Sequence, residues 1–328
     1  MHSMFYDRAT DPAHALALAQ QPGASFIGGG TNLLDLIKAD VVHPIRLVDI
    51  TRTGLDQITE LADGGLRIGA LARNSETADH QLVRQRYPLL AQALLSGASQ
   101  QLRNMATIGG NLMQRTRCPY FADAGSDMCN KRLPGSGCGA LQGFNRVHAI
   151  LGASDDCIAV NPSDMSVALA ALDAVVVVIN PVGERRIPFD QFHRLPGATP
   201  HIDSVLQPGE MITAIDLPAS PFASHSHYLK VRDRASYAFA LVSVAAALDI
   251  EDGVVRAARV ALGGVAHKPW RVKAAEALLA GHPLSDSLCR QAAEVLTAGA
   301  RSYRDNHFKI GLARRAVVRA LHLAEGNP

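Results

Sequence analysis

Four of the five cysteines, Cys118, Cys129, Cys138 and Cys157, fall in one segment with the spacing C-x10-C-x8-C-x18-C, and Cys289 stands alone near the end. Thiolates bind soft metals, and four of them satisfy either one tetrahedral zinc or a cubane iron–sulfur cluster. No C-x2-C pair is present, so the reading rests on the clustering and on a surround rich in glycine and proline, which leaves backbone N–H groups free to face sulfur. Scattered free thiols are the plain alternative. An odd count in a chain of 328 residues does not describe a disulfide framework. Cys289, on an expected helix, reads as a packed core cysteine.

Two glycine runs offer a second kind of chemistry. Gly28-Gly29-Gly30-Thr31-Asn32 lies between an expected strand and an expected helix, where glycines let backbone N–H groups approach a phosphate and a side chain at Gly29 would stand in its path. Gly109-Gly110-Asn111, introduced by Thr107, reads as a second turn of that kind, and the pair suits an extended dinucleotide cradled from both sides. Neither run is G-x-G-x-x-G or G-x-x-x-x-G-K-[ST], so the Rossmann and P-loop fingerprints are absent, and two ordinary tight turns are the bland reading. The thirteen histidines form no H-E-x-x-H pair, and His43, His80, His148 and His201 read as surface or loop residues. No nucleophile elbow is visible. Arg232-Asp233-Arg234 reads as a solvated charge run, and Lys230 before it as a strand-edge lysine or a flavin partner.

The elements that must position these residues follow from periodicity and punctuation. Helices are expected at 11–20, 33–38, 81–97, 163–171, 274–279, 288–299 and 310–323; strands at 24–27, 46–50, 66–68, 174–179, 212–217, 228–231, 240–250 and 254–262. The stretch 115–156 is rich in Pro, Gly, Asn, Asp and Arg with little periodicity, and a loop of that length needs something to order it. A polar, proline-containing linker at 218–226 divides the chain, and the strands followed by helices beyond it predict an α+β second domain.

Composition narrows the function classes. With 48% hydrophobic and 19% charged residues and a formal net charge of +2, the chain has an ordinary globular balance, no concentrated basic character for nucleic acid, and no apolar run of about 18 residues for a membrane span. The first residues, Met1-His2-Ser3-Met4-Phe5-Tyr6-Asp7-Arg8, carry no basic-then-apolar export signal, which reads as cytoplasmic unless a partner supplies the address.

The motifs, in this order, resemble the FAD-binding medium subunit of molybdenum hydroxylases, the group of xanthine dehydrogenase and carbon monoxide dehydrogenase. The stretches that carry the likeness are Ile27-Gly28-Gly29-Gly30-Thr31-Asn32-Leu33-Leu34, residues 103–112, Asn161-Pro162-Ser163-Asp164-Met165, Pro208-Gly209-Glu210 with the strand after it, and Gly263-Gly264-Val265-Ala266. Within the group the chain looks most like the flavin subunit of periplasmic aldehyde oxidoreductases, through Arg117-Cys118-Pro119-Tyr120-Phe121, residues 129–138 and residues 230–240.

The resemblance implies an α+β fold: a two-part FAD-binding domain of the vanillyl-alcohol oxidase (PCMH) type at 1–220, with a [4Fe–4S]-binding insertion at about 115–157, then a smaller carbon monoxide dehydrogenase flavoprotein-type domain at 225–328. It implies that Ile27, Gly28, Gly29, Gly30, Thr31, Asn32, Leu33 and Leu34 wrap the FAD pyrophosphate, with Thr107, Gly110 and Asn111 opposite. Asp164, Ile212 and Lys230 fall at positions that contact FAD in the group, and Cys118, Cys129, Cys138 and Cys157 become ligands of a [4Fe–4S] cluster. Substrate oxidation would occur at a molybdenum cofactor on a large subunit, and electrons would pass through [2Fe–2S] centres on a small subunit to FAD and an external acceptor, in a heterotrimer. The resemblance also implies export by a signal on a partner, which would make the chain periplasmic. A self-sufficient FAD oxidase of the vanillyl-alcohol type and a zinc-stapled nucleotide-binding module are the competing expectations.

Overall fold

Short apolar and β-branched runs set the strands, and small residues let helices approach them. The computed structural model describes residues 2–326, so Met1 of the N-terminal stretch and the last two positions of the second domain, Asn327 and Pro328, lie outside it. Among the described residues the strands form three sheets. The first is parallel, with Arg46–Asp49 between Phe5–Arg8 and Ala24–Ile27. The second is antiparallel, in the order Ile58–Glu60, Leu66–Gly69, Met211–Leu217, Val175–Asn180, Gly183–Pro188. The third, also antiparallel, runs Trp270–Arg271, Val254–Gly263, Val242–Glu251, Ser226–Val231. This is the mixed helix-and-sheet architecture expected.

Strand Val242–Glu251 explains how the last sheet joins the rest. Its side chains alternate between faces. Val242, Val244, Ala246 and Leu248 pack toward a core that includes Ala313, Val317 and Leu321 of the helix Phe308–Glu325. Ala245 and Ala247 enter a different core, shared with Leu89, Leu90 and Leu94 of the helix Pro88–Ser96 and with Val167 and Leu169 of the helix Asp164–Ala171. Alanine on that face lets two helices lie close to the sheet, so the strand is buried on both sides.

Two expectations need correction, and three strands went unread. The helix at 81–97 is two helices, Gln81–Arg86 and Pro88–Ser96, because Pro88 has no N–H to continue the first and starts the second at a position where none is needed. Gly109-Gly110 is not a turn: it lies in the first turn of a short helix, Ile108–Leu112, capped by the Thr107 hydroxyl, which accepts from the Gly110 N–H at 3.2 Å. The strands Phe5–Arg8, Ile58–Glu60 and Gly183–Pro188 carry too little apolar alternation to be read; their burial is mostly exposed or intermediate. No helix of the described residues is long and apolar enough to cross a membrane.

Enlarging Ala247 to leucine should lower the midpoint of thermal unfolding, since an overpacked core site costs about 1–3 kcal/mol. An unchanged midpoint would contradict the close helix–sheet contact.

Candidate functional site

The strand Ala24–Ile27 ends at Gly28, and the helix Leu33–Lys38 begins at Leu33, so Gly28–Asn32 form the loop between them, with Gly30 at φ +73°. None of the backbone N–H groups of Gly28, Gly29, Gly30, Thr31 and Asn32 donates to another backbone group among the described residues. Such a row of free donors beside a helix start is an anion cradle. Gly29 is required for another reason than the one expected: a Cβ there would overlap the Met105 carbonyl, so the close approach is between two backbone loops and not toward an open cavity. Gly28 and Gly110 both lie against Thr107, where added Cβ atoms would sit 3.2 and 2.9 Å from its Oγ1.

Two cavities of about 330 Å³ each meet at this loop. Both are lined by Thr31, Asn32 and Gly110. One continues over Gly28–Gly30, Leu33 and Thr107 into a mostly apolar space beside Phe26, Met211 and Ile212. The other continues past Asn111 to Asp164, Lys230, Tyr237 and Phe239, where the first part of the chain meets the last sheet. The free donors, the glycine-lined walls and the two lobes fit an extended dinucleotide with its phosphates at the loop. Asn111 Oδ1 accepts from the Ser163 hydroxyl at 2.8 Å, which fixes it beside the start of the Asp164–Ala171 helix. Of the residues expected here, Ile27, Gly28, Gly29, Gly30, Thr31, Asn32, Leu33, Thr107, Gly110, Asn111, Asp164, Ile212 and Lys230 line these cavities. Leu34 does not; it is exposed, with its Cδ1 where a Gly30 Cβ would be.

Asp164 opens its helix, and two residues of one strand hold it. Tyr228 and Lys230 stand two apart on Ser226–Val231 and so face the same side. The Tyr228 hydroxyl donates to Asp164 Oδ1 at 2.7 Å, and Lys230 Nζ donates to Oδ2 at 2.8 Å and to the Ser96 carbonyl at 3.0 Å. Burial, together with the Asp164 charge, raises the Tyr228 phenol well above its ordinary value and keeps it a donor. Lys230 is therefore an edge-strand lysine whose side chain is buried against a carboxylate and does not face solvent.

The cysteine segment has little regular structure beyond the helical turn Pro119–Ala122 and two isolated bridges, Cys129 with Cys138 and Ser154 with Cys157. Cys118, Cys129, Cys138 and Cys157 nevertheless line one small cavity, while Cys289 is packed in the C-terminal core. No three of the four sulfurs lie within 4.8 Å of one another among the described residues. Thiolates on one tetrahedral zinc would stand about 3.8 Å apart, so the four are not drawn together as a single zinc would hold them. Burial pushes the Cys118 thiol up to about 11. The mutual influence of Cys138 and Cys157 lowers Cys138 to about 6 and, with burial, raises Cys157. His148, expected as a surface or loop residue, lies in a loop but is buried there with its Nε2 3.1 Å from Cys118 Sγ, and burial lowers its pKa to about 4. Sequence reading missed it because a lone histidine in an irregular stretch carries no periodic signal.

Arg117 and Asn74 were also missed. Arg117 Nη2 donates to Asn32 Oδ1 at 3.3 Å, its guanidinium lies 5.3 Å from the Phe239 ring centroid, and its Nε is buried without a partner. Asn74 Oδ1 is likewise unpartnered and buried, and both residues line the cavity of Asp164 and Lys230. The sequence signal for Arg117 was its place beside Cys118; Asn74 had none.

Residues 2–220 match the family model described as the FAD binding domain in molybdopterin dehydrogenase, and residues 227–324 match the CO dehydrogenase flavoprotein C-terminal domain. The chain is 53% identical over 324 residues to the aldehyde oxidoreductase FAD-binding subunit of Escherichia coli (strain K12), covering 98% of each. It is 26% identical to the glyceraldehyde dehydrogenase medium chain of Sulfolobus acidocaldarius, over 90% of this chain and 86% of that one. Among solved structures, a chain of carbon monoxide dehydrogenase from Hydrogenophaga pseudoflava superposes with a TM-score of 0.77 at 26% identity, covering 99% of this chain and 98% of the other.

Replacing Asp164 with alanine should destabilise the chain by about 3–5 kcal/mol in denaturant unfolding, because it leaves Lys230 buried and unpaired. Adding Lys230→Met should recover much of that loss. Equal stability of the single and double variants would contradict the pairing.

Proposed function

The chain belongs to the FAD-binding medium subunits of the molybdenum hydroxylases, and from that premise we propose that it is the electron-transfer subunit of an aldehyde oxidoreductase, holding one FAD and one [4Fe–4S] cluster. The observation that carries this reading is the adjacency of two separate sites. Arg117 lines the polar lobe of the dinucleotide site, and Cys118, the next residue, lines the cysteine cavity. Bound FAD supplies the capacity to take up and release electrons singly or in pairs. The residues of this chain bind and orient it. The Gly28–Asn32 N–H groups, with Thr107, Gly110 and Asn111, hold the pyrophosphate. The mostly apolar lobe at Ile212 takes the adenine, and the lobe of Asp164 and Lys230 offers an acceptor and a donor for the edge of the flavin ring.

Cys118, Cys129, Cys138 and Cys157 are the ligands in this reading. Their open spacing and common cavity support a cluster over a single zinc. The partners are a large molybdenum-cofactor subunit, where the aldehyde is oxidised, and a small [2Fe–2S] subunit, in a heterotrimer that delivers electrons to an external acceptor. The complex is periplasmic if an exported partner carries it. The likeness to an aldehyde oxidoreductase FAD-binding subunit over 98% of both chains supports this assignment.

Serine at any one of the four ligand positions should lower iron and acid-labile sulfide, while serine at Cys289, in the core of the helix Asp286–Leu296, should leave both unchanged. Full iron content in the four variants, or its loss in Cys289→Ser alone, would overturn the ligand set. The purified chain without partners should oxidise no aldehyde but regain a role in turnover when the large and small subunits are added. Aldehyde turnover by the isolated, cofactor-replete chain would contradict the division of labour.

A further inference from the structure

His148 is 1% exposed and directs Nε2 at Cys118 Sγ, 3.1 Å away. Among the described residues it is the one side-chain nitrogen within hydrogen-bond reach of a cysteine sulfur. Its other nitrogen, Nδ1, is buried and has no partner. A neutral imidazole carries a single N–H. On Nδ1 that proton would be a buried donor facing nothing, and a lone pair would be turned toward the sulfur. With the proton on Nε2 the donor meets a thiolate and only an acceptor is left unpaired, which is the cheaper arrangement.

The position of this imidazole is built from its main chain outward. The His148 N–H donates to the Asn145 carbonyl at 3.0 Å. The His148 carbonyl accepts from Lys309 Nζ at 2.8 Å and from Asn306 Nδ2 at 3.3 Å. Lys309 is itself fully buried, and its Nζ also donates to the Gly264 carbonyl at 2.6 Å. A buried lysine surrounded by carbonyls and no carboxylate is costly to maintain. Here it ties the main chain of residue 148 to the helix Phe308–Glu325 and to the end of the strand Val254–Gly263, which fixes where the imidazole starts relative to Cys118.

We propose that His148 is a positioning residue that raises the reduction potential of the cluster by donating the Nε2–H hydrogen bond to the Cys118 sulfur. The proposal rests on the reading of the four cysteines as ligands of a [4Fe–4S] cluster. Adding one electron increases the negative charge shared by the ligand sulfurs, and a donor held against one of them stabilises the reduced state; no proton leaves the imidazole. The buried Lys131 charge bears on Cys157 and not on Cys118, and it is unchanged in every His148 variant, so the effect of His148 is read separately.

The test uses the full-length chain with its cofactors, as wild type, His148→Phe and His148→Gln, with iron, sulfide and flavin assays and a redox titration followed by electron paramagnetic resonance. All three should hold the same iron and sulfide. The cluster midpoint should move negative in His148→Phe and return toward wild type in His148→Gln, whose amide restores a donor. An unmoved midpoint in an iron-replete His148→Phe chain would overturn this proposal alone. Loss of iron in both variants would overturn it too, by making His148 a ligand or a scaffold. Wild type without iron would overturn the ligand reading on which it rests.

Discussion

The ion pair between Asp164 and Lys230 joins parts of the molecule that share no strand. Asp164 begins a helix packed between two sheets, and Lys230 belongs to the edge strand of the last sheet. A buried pair of this kind is seldom a net source of stability, since desolvating two charges offsets most of their attraction. Its value is geometric. With Tyr228 on the second carboxylate oxygen and the Ser96 carbonyl on the ammonium, the pair has one arrangement, and that arrangement fixes the wall of the polar lobe. The alanine face of Val242–Glu251 makes the same demand from the packing side, by letting the helices Pro88–Ser96 and Asp164–Ala171 approach the sheet closely. Helix, sheet and cavity are thus set together.

The cysteine segment obeys a different constraint. Ordering some forty residues without regular structure costs backbone entropy of about 1–2 kcal/mol for each. The thiols are not the only compensation. Arg132 donates through Nη1 to the carbonyls of Tyr120, Phe121 and Asp123 at 3.1, 3.1 and 2.6 Å, and the Tyr120 hydroxyl accepts from the Phe144 N–H at 2.7 Å. Asn145 and Asp305 exchange bonds at 3.3 and 2.8 Å, which ties the segment to the C-terminal helices. Side-chain-to-backbone bonds therefore do here what ladders do in a sheet, and the sulfurs are presented from a frame that is already tied down.

Much of this was legible from residue order. The strand–glycine–helix unit from Ala24 to Lys38 and the antiparallel run after Ser226 follow from local rules of turn chemistry and alternation, and they hold. The resemblance carried the fold further than periodicity did. What stayed hidden has a physical reason in each case. Edge strands such as Gly183–Pro188 are polar on both sides and are made by pairing with Val175–Asn180. The helix containing Gly109 and Gly110 contradicts glycine propensity; its Thr107 cap is local, but the Gly109 N–H donated to the Ala70 carbonyl at 2.7 Å is a tertiary fact. His148, Arg117 and Asn74 gain their meaning only from what the fold sets opposite them. Lys230 was ambiguous until Asp164, 66 residues away, was brought to its ammonium.

The central claim is that one chain holds a flavin and a cubane cluster side by side. Its most direct test is the cofactor content of the purified full-length chain, read together with its visible and low-temperature paramagnetic resonance spectra. The account predicts about one FAD and about four iron and four sulfide per chain, with flavin bands on a broad absorption that bleaches on reduction. Stoichiometric flavin without iron, or zinc in its place, would contradict it.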